Sequence, residues 1–241
     1  MAPHTSDVPA AQVADLAPPT GVRLGYVGSP DAAQRVVAAA RAAGHSGPVE
    51  ESECLITEPY GRLRRGEIDV LVTRFEISEP DLHTGPPLYT EERVVAVGAR
   101  HPLASRSSVT TDDLADHALF QPPGAFPEEV YDQLVPRRAR GGRPLRRTCP
   151  AGSMADMFAA IADGRAVHPT IASMRARTGH PDVRYLPLTD LSPAPVCLVR
   201  PGGEAPPSVS AFCAAAHAGF ARRDPAASAG TGDADAGART A

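Results

Sequence analysis

The chain has 241 residues, of which 42% are hydrophobic, enough apolar material for one domain or two small lobes. Its formal net charge of −4 does not indicate the positively charged surface that nucleic-acid-binding proteins use. All 24 basic residues are arginines, and the absence of lysine excludes Schiff-base catalysis and a P-loop phosphate site, since both need an ε-amine.

The four cysteines, Cys54, Cys149, Cys197 and Cys213, are scattered without the spacing of metal ligands. We therefore expect reduced thiols, no bound metal and no other cofactor. No apolar run is long enough for a membrane span or for the core of a signal peptide. The sequence thus predicts a soluble, cytoplasmic protein that does not enter a membrane.

Two terminal segments, residues 1–20 and 224–241, are rich in small residues without periodicity, which predicts a disordered arm and a disordered tail. Residues 22–28 predict a strand. The following Ser29-Pro30-Asp31 has three signals of a helix start: a hydroxyl at the N-cap, proline at the first helical position and an acid in the first turn. Residues 49–54 predict a second strand, and Thr57-Glu58-Pro59 predicts the start of a second helix.

The most informative stretch is residues 61–75. It predicts the end of a helix, with Gly66 at the C′ position and Arg64 and Arg65 favourably placed against the helix dipole. An apolar run over residues 68–72 follows, as expected of a parallel strand covered on both faces. A helix, then Gly-Glu-Ile-Asp, then a buried strand resembles the central signature of the effector-binding domain of LysR-type transcriptional regulators.

The second half of the chain continues with shorter elements. We predict strands over residues 81–89 and 93–98 that pass into a second lobe, a strand over 118–121, a helix over 126–135 and a strand over 145–149. Ser153 and Asp156 predict a capping box at the start of a further helix. The arginine-rich segment 137–147 lacks interleaved aromatics, so a solvated loop is favoured over a nucleic-acid patch.

The resemblance to the LysR family extends over residues 22–223. His-Pro-Leu-Ala at 101–104, Gly-Arg-Ala-Val-His-Pro at 164–169 and the predicted return strand at 181–188 follow the family's order. It implies two Rossmann-like α/β lobes joined by two crossover strands, a fold like that of type 2 periplasmic binding proteins. The implied lobe I comprises residues 21–76 and 196–223, and the implied lobe II comprises residues 77–195.

The resemblance also carries expectations about partners. No helix-turn-helix fits ahead of residue 22, so we expect a stand-alone effector domain that does not bind DNA itself. Effector domains of the family pair antiparallel, which implies a homodimer that uses the helix after Ser29.

Candidate site residues lie where helices begin and strands end. Three helices are predicted to begin at Ser29, Thr57 and Ser153, and their first turns offer free N–H groups to an anion. Family members use the equivalents of Ser29 and Thr57 for ligand carboxylates. Strand ends add Arg74, Phe75 and Gln121 as ligand-binding candidates, and Glu53 and His168 as candidate acid and base. Each has a simpler explanation: a helix cap, a solvated strand end, an ion pair at the hinge or a hydrogen-bonded core histidine.

Two functions remain open from the sequence. The first is a small-molecule-binding domain for an organic carboxylate or an amino-acid-like ligand. The second is a cofactor-free biosynthetic enzyme of secondary metabolism, in which the cleft joins an amine, for example an aromatic amino acid, to a carbonyl compound and closes a ring. Such a Pictet–Spengler-type condensation needs proton transfers and orientation, which Glu53 and His168 could supply.

Overall fold

The computed structural model describes residues 21–150, 152–175 and 180–223. The predicted arm at 1–20 and tail at 224–241 lie outside the described residues. The described strands are β1 (Val22–Val27), β2 (Val49–Cys54), β3 (Val70–Arg74), β4 (Leu82–Thr84), β5 (Tyr89–Glu91), β6 (Arg93–Gly98), β7 (Ala118–Phe120), β8 (Arg146–Cys149), β9 (His168–Ile171), β10 (Val183–Pro187) and β11 (Ala194–Pro201). The α-helices are α1 (Asp31–Ala42), α2 (Gly61–Arg64), α3 (Thr111–Leu114), α4 (Glu128–Leu134), α5 (Met154–Ala162) and α6 (Pro207–Arg223), and Pro102–Ser105 forms a 3-10 turn.

The larger sheet has the strand order β2-β1-β3-β11-β4, and β5 also pairs with β11. Strand β1 runs parallel to β2 and β3, whereas β11 returns antiparallel to β3, β4 and β5. Val70, Leu71 and Val72 are completely buried at the centre of this sheet. The prediction of a parallel strand covered on both faces is therefore confirmed for β3.

The second lobe contains an antiparallel sheet in the order β10-β6-β9 and a parallel pair, β7 and β8. An isolated bridge joins Leu119 on β7 to Val167, the residue directly before β9. The chain thus forms two α/β units, and β11 returns to the first of them. None of the helices in the described part of the chain combines the length and the apolar character needed to cross a membrane.

The turn at Gly66 has the predicted geometry. Gly66 adopts a φ of 68°, and its N–H and that of Glu67 donate to the carbonyls of Leu63 and Arg62, which closes the end of α2. Asp69 then accepts hydrogen bonds from the backbone N–H and the guanidinium of Arg23 on β1. The Gly-Glu-Ile-Asp signature thereby ends a helix and locks the start of β3 to its neighbour.

Several predicted bounds are wrong. The helix predicted from Thr57 begins only at Gly61, because the residues before it form turns and the first helical bond runs from Arg64 N–H to Tyr60 O. The helix predicted from Ser29 has Pro30 as its N-cap, one residue later than expected. The predicted strand at 81–89 is two short strands, β4 and β5, which pair with β11 in the larger sheet instead of entering the second lobe. The exact lobe boundaries stay a prediction.

The arginine-rich segment after α4 is an ion-paired surface loop. Arg137 contacts Glu128 and Asp132, and Arg143 contacts Asp116. Each of these side chains is more than a third exposed, so the ion pairs contribute little to the stability of the fold. The prediction of a solvated loop agrees with this arrangement up to Arg143, whereas Arg146 and Arg147 belong to β8, and Arg147, whose side chain is only 10% exposed, pairs with Asp132.

Helices α1 and α6 pack closely enough that one position tolerates only glycine. A Cβ atom at Gly219 would lie 2.1 Å from the carbonyl oxygen of Ala39. We expect Gly219→Ala to lower the free energy of unfolding by about 1–3 kcal/mol through overpacking, although alanine is the better helix former by about 1 kcal/mol.

Urea unfolding tests this prediction, with the exposed neighbour Ala218 as the matched position. Ala218→Gly should cost only the helix propensity difference of about 1 kcal/mol. A Gly219→Ala variant that is more stable than the wild type would show that the two helices can separate without cost.

Candidate ligand-binding cavity

A cavity of about 120 Å³ lies between the two lobes, where β1 and β3 end. Ligands of open α/β sheets bind beyond the carboxyl ends of the strands, so this is the expected place for a site. The wall is mostly apolar, and large side chains from both lobes contribute to it: Ile56, Tyr60, Phe75, Phe126, Met154, Met157 and Met174. The polar side chains in the wall are Thr73, Arg74, His168 and Thr170.

Arg74 at the end of β3 connects the two lobes beside the cavity. Its guanidinium donates to Val27 O and to Ser173 Oγ, both at 3.2 Å, and lies 3.5 Å from the carboxylate of Glu91. Ser173 donates in turn to Glu91 at 2.6 Å. Because the two charged side chains are only 11% and 5% exposed, this is a buried ion pair rather than a surface one. The buried Nε of Arg74 has no hydrogen-bond partner among the described residues.

Phe75 follows Arg74 in a left-handed conformation, with a φ of 71°. A non-glycine residue pays for this conformation with about 1–3 kcal/mol, so the surroundings must hold it. Its N–H donates to Pro195 O at 2.8 Å, and the guanidinium of Arg93 lies 5.1 Å from the centre of its ring. Phe75 therefore turns the chain out of β3 while its ring forms part of the cavity wall.

His168 is the first residue of β9, and its imidazole ring forms part of the cavity wall. Its Nδ1 is buried without a hydrogen-bond partner, and the ring contacts Phe120 edge-on at 5.6 Å. Burial is the main cause that lowers the pKa of His168, to about 4, and the positive charge of Arg93 adds to the effect. His168 is therefore neutral at physiological pH in the free protein.

The remaining predicted site residues do not line this cavity. Ser29 is buried, and its hydroxyl accepts from the N–H of Asp31 at 3.3 Å. Glu53 and Gln121 are exposed at the ends of their strands. Thr57 lies in the turn before α2, where its carbonyl accepts from the N–H of Ala125 on the opposite lobe.

Ser153 is the N-cap of α5, as predicted. Its hydroxyl accepts from the N–H of Asp156, and the carboxylate of Asp156 accepts from the N–H of Ser153, which completes the capping box. The hydroxyl is engaged in the cap, whereas the next residue, Met154, lines the cavity. The first turn of α5 thus borders the cavity although Ser153 does not.

Sequence reasoning missed several wall residues. The helical spacing of Met154 and Met157 is typical of core packing and does not indicate a ligand site, and Thr73 and Thr170 belong to no motif. The one available signal was position, because Thr73 precedes the strand end at Arg74 and Thr170 lies two residues after His168. Among the described residues, no group of three or more metal-ligating side chains lies close enough together to hold a metal ion.

The model of the LysR substrate binding domain matches residues 52–221, more than two thirds of the chain. The chain belongs to the LysR substrate-binding domain family. The predicted fold, two α/β lobes of the type 2 periplasmic-binding-protein kind, is confirmed with the family.

Solved structures with this LysR-type fold resemble the chain over most of its length. The BenM effector-binding domain with its effector benzoate has a TM-score of 0.61 and 23% identity, and the alignment covers 84% of this chain and 93% of that one. The effector-binding domain of QuiR in complex with shikimate gives 0.59 and 20%, with coverages of 81% and 94%. At these identities the likeness establishes the fold alone.

A curated relative of the LysR-family domain is the HTH-type transcriptional regulator MetR of Escherichia coli (strain K12), which is 26% identical over 189 residues. The match covers 61% of this chain and 59% of that protein. The chain therefore spans well under two thirds of the length of this relative.

Proposed function

We propose that this LysR-family domain binds a small organic carboxylate in the cavity between its lobes. The observation that carries the proposal is a mostly apolar cavity with a few polar groups along its wall, the usual composition of a small-molecule site. An engineered apolar cavity of about 150 Å³ in another protein binds benzene, so about 120 Å³ corresponds to a ligand body of at most about one ring.

The first turn of α5 favours a negative charge on the ligand. Met154 lines the cavity at the first position of this nine-residue helix, where the dipole presents its positive end. The described hydrogen bonds include none from the N–H groups of Met154 and Ala155. Arg74 adds a buried guanidinium with an unused Nε. Ligands of BenM and QuiR, benzoate and shikimate, are ring-bearing carboxylates of the kind proposed here.

The second function left open by the sequence, a cofactor-free enzyme, is less well supported. General acid–base catalysis by two side chains requires both to reach one substrate, and only His168 of the predicted pair lines the cavity, while Glu53 is exposed on β2. We therefore propose binding without turnover. Product analysis after incubation with aromatic amines and carbonyl compounds checks this, and a cyclised product that is absent with heat-inactivated protein would overturn it.

A panel of carboxylates tests the binding proposal. We expect one-ring and short aliphatic carboxylates to raise the melting temperature, since a ligand that binds only the folded state adds stability by mass action, about 2.7 kcal/mol at a hundred times its Kd. Matched primary amides should shift it less at equal concentration. No shift with any acid, or equal shifts with the amides, would contradict the proposal. Self-association and the absence of DNA binding stay predictions.

A further inference from the structure

The imidazole of His168 has two nitrogens in different surroundings. Its Nδ1 is completely buried and has no hydrogen-bond partner in the described part of the chain. The Nε2 atom also has no protein partner there, yet it is not among the buried atoms. Because His168 lines the cavity and keeps some accessible surface, Nε2 is the nitrogen that faces the cavity.

A positive charge lies on the other side of His168. Arg93 is 4% exposed, is not part of the cavity wall, and uses its two terminal nitrogens to donate to the carbonyls of Gln133 and Leu134 at the end of α4. No carboxylate of the described residues forms a salt bridge with it. Its unbalanced charge acts on the buried side of the ring.

These surroundings determine where a neutral imidazole carries its proton. A buried Nδ1–H would point its positive end into a wall that offers no acceptor and that lies in the field of Arg93. A lone pair on Nδ1 is attracted by the same charge. The proton then belongs on Nε2, where the cavity can supply an acceptor.

We infer that His168 stays neutral with its proton on Nε2, and that this N–H donates to an oxygen of the bound ligand. The inference rests on the proposed function, since it assigns to one end of the ligand a carboxylate or carbonyl oxygen. A ligand with an amine or another N–H donor at this end would leave its own donor and the Nε2–H of His168 unpaired in a buried site. Such a ligand should bind poorly.

Ligand binding should then take up no proton between about pH 6 and 8. The charged or titratable groups around the ring are Arg93 behind it, and Arg74, its partner Glu91 and Tyr60 beside the cavity. Burial lowers the pKa of Arg93 to about 10, which still leaves it protonated in this range, and burial raises the pKa of Tyr60 further above the range.

The tautomer can be measured in the free protein. In two-bond proton–nitrogen NMR correlation spectra of the full chain with ¹⁵N-labelled histidine, the His168 signals are assigned as those missing from His168→Gln. We expect a protonated Nε2 and an unprotonated Nδ1 throughout the range from pH 6 to about 8. A proton on Nδ1, or a doubly protonated ring at neutral pH, would overturn the inference even if carboxylates bind.

Two variants test the donor role with a carboxylate from the panel, for example benzoate. His168→Leu removes the donor, and we expect a loss of affinity of at least tenfold, as for a hydrogen bond to a charged group. His168→Gln keeps an N–H near the Nε2 position and should retain affinity within about threefold. Equal losses in both variants with unchanged melting temperatures would contradict the donor role. If no carboxylate binds the wild type, the binding proposal fails while the tautomer result still decides this inference.

Discussion

Arg74→Met is expected to lower the free energy of unfolding by about 3–5 kcal/mol, the cost of leaving one member of a buried ion pair without its partner. The Glu91 side chain is 5% exposed, and in the variant its remaining partners among the described residues would be the hydroxyls of Ser173 and Tyr89. The guanidinium's bonds to Val27 O on the neighbouring β1 and to Ser173 Oγ on the other lobe would also be lost.

The double variant Arg74→Met, Glu91→Gln separates these contributions. Removal of both charges ends the cost of an uncompensated carboxylate, so the double variant should be more stable than the single one by about 2 kcal/mol or more. Urea unfolding of the wild type and the two variants gives the comparison. A single variant as stable as the wild type, or a double variant no more stable than the single one, would show that Glu91 does not depend on Arg74.

Met154→Glu is expected to reduce carboxylate affinity by roughly a hundredfold relative to Met154→Gln. Two like charges about 6 Å apart at an effective dielectric constant near 20 repel by about 3 kcal/mol, which corresponds to that factor. The two replacements have nearly the same size, so their difference isolates the charge. An acid in the first turn of α5 is favourable for the helix dipole, and the fold should not suffer.

Titration of both Met154 variants with one carboxylate checks the prediction, with melting temperatures as the control for folding. A neutral ligand of the same shape should bind the two variants equally. If the Glu and Gln variants bind the carboxylate with the same affinity, the ligand charge does not lie near the first turn of α5.

The fold was predictable because its signals are local. Gly66 must take a left-handed conformation to end α2, Ser153 and Asp156 complete a capping box within one helical turn, and β3 is apolar because both of its faces are covered. These features depend on neighbours along the chain, which a single sequence contains. The family resemblance then placed the elements in order.

The site was predictable only in part. Arg74, Phe75 and His168 reach the cavity because they lie at strand ends, whose position the sheet determines. Thr57 was misplaced because the helix after it begins four residues later, so its side chain has no capping role. Which wall a side chain faces depends on how the two lobes meet, for example where Gly124 lies against Thr57, and no local pattern records that contact.

The positions of Met154, Thr73 and Thr170 in the cavity wall could not be predicted for a similar reason. Met154 follows the predicted cap by one residue, and that single step along a helix turns the side chain by about 100°. Thr73 and Thr170 lie within strands whose alternation could assign them to either face until the neighbouring elements are known. Local signals therefore locate the ends of elements near a site more reliably than the side chains that enter it.

The central claim is that the cavity recognises a small ligand through its carboxylate, and one calorimetric titration tests it most directly. The carboxylate that stabilises the protein most is titrated into the wild-type chain beside its own primary amide, which has nearly the same shape without the charge. We predict saturable one-to-one binding of the acid and at least tenfold weaker binding of the amide, as expected when a charge-assisted hydrogen bond is lost. Equal binding of acid and amide would contradict the account.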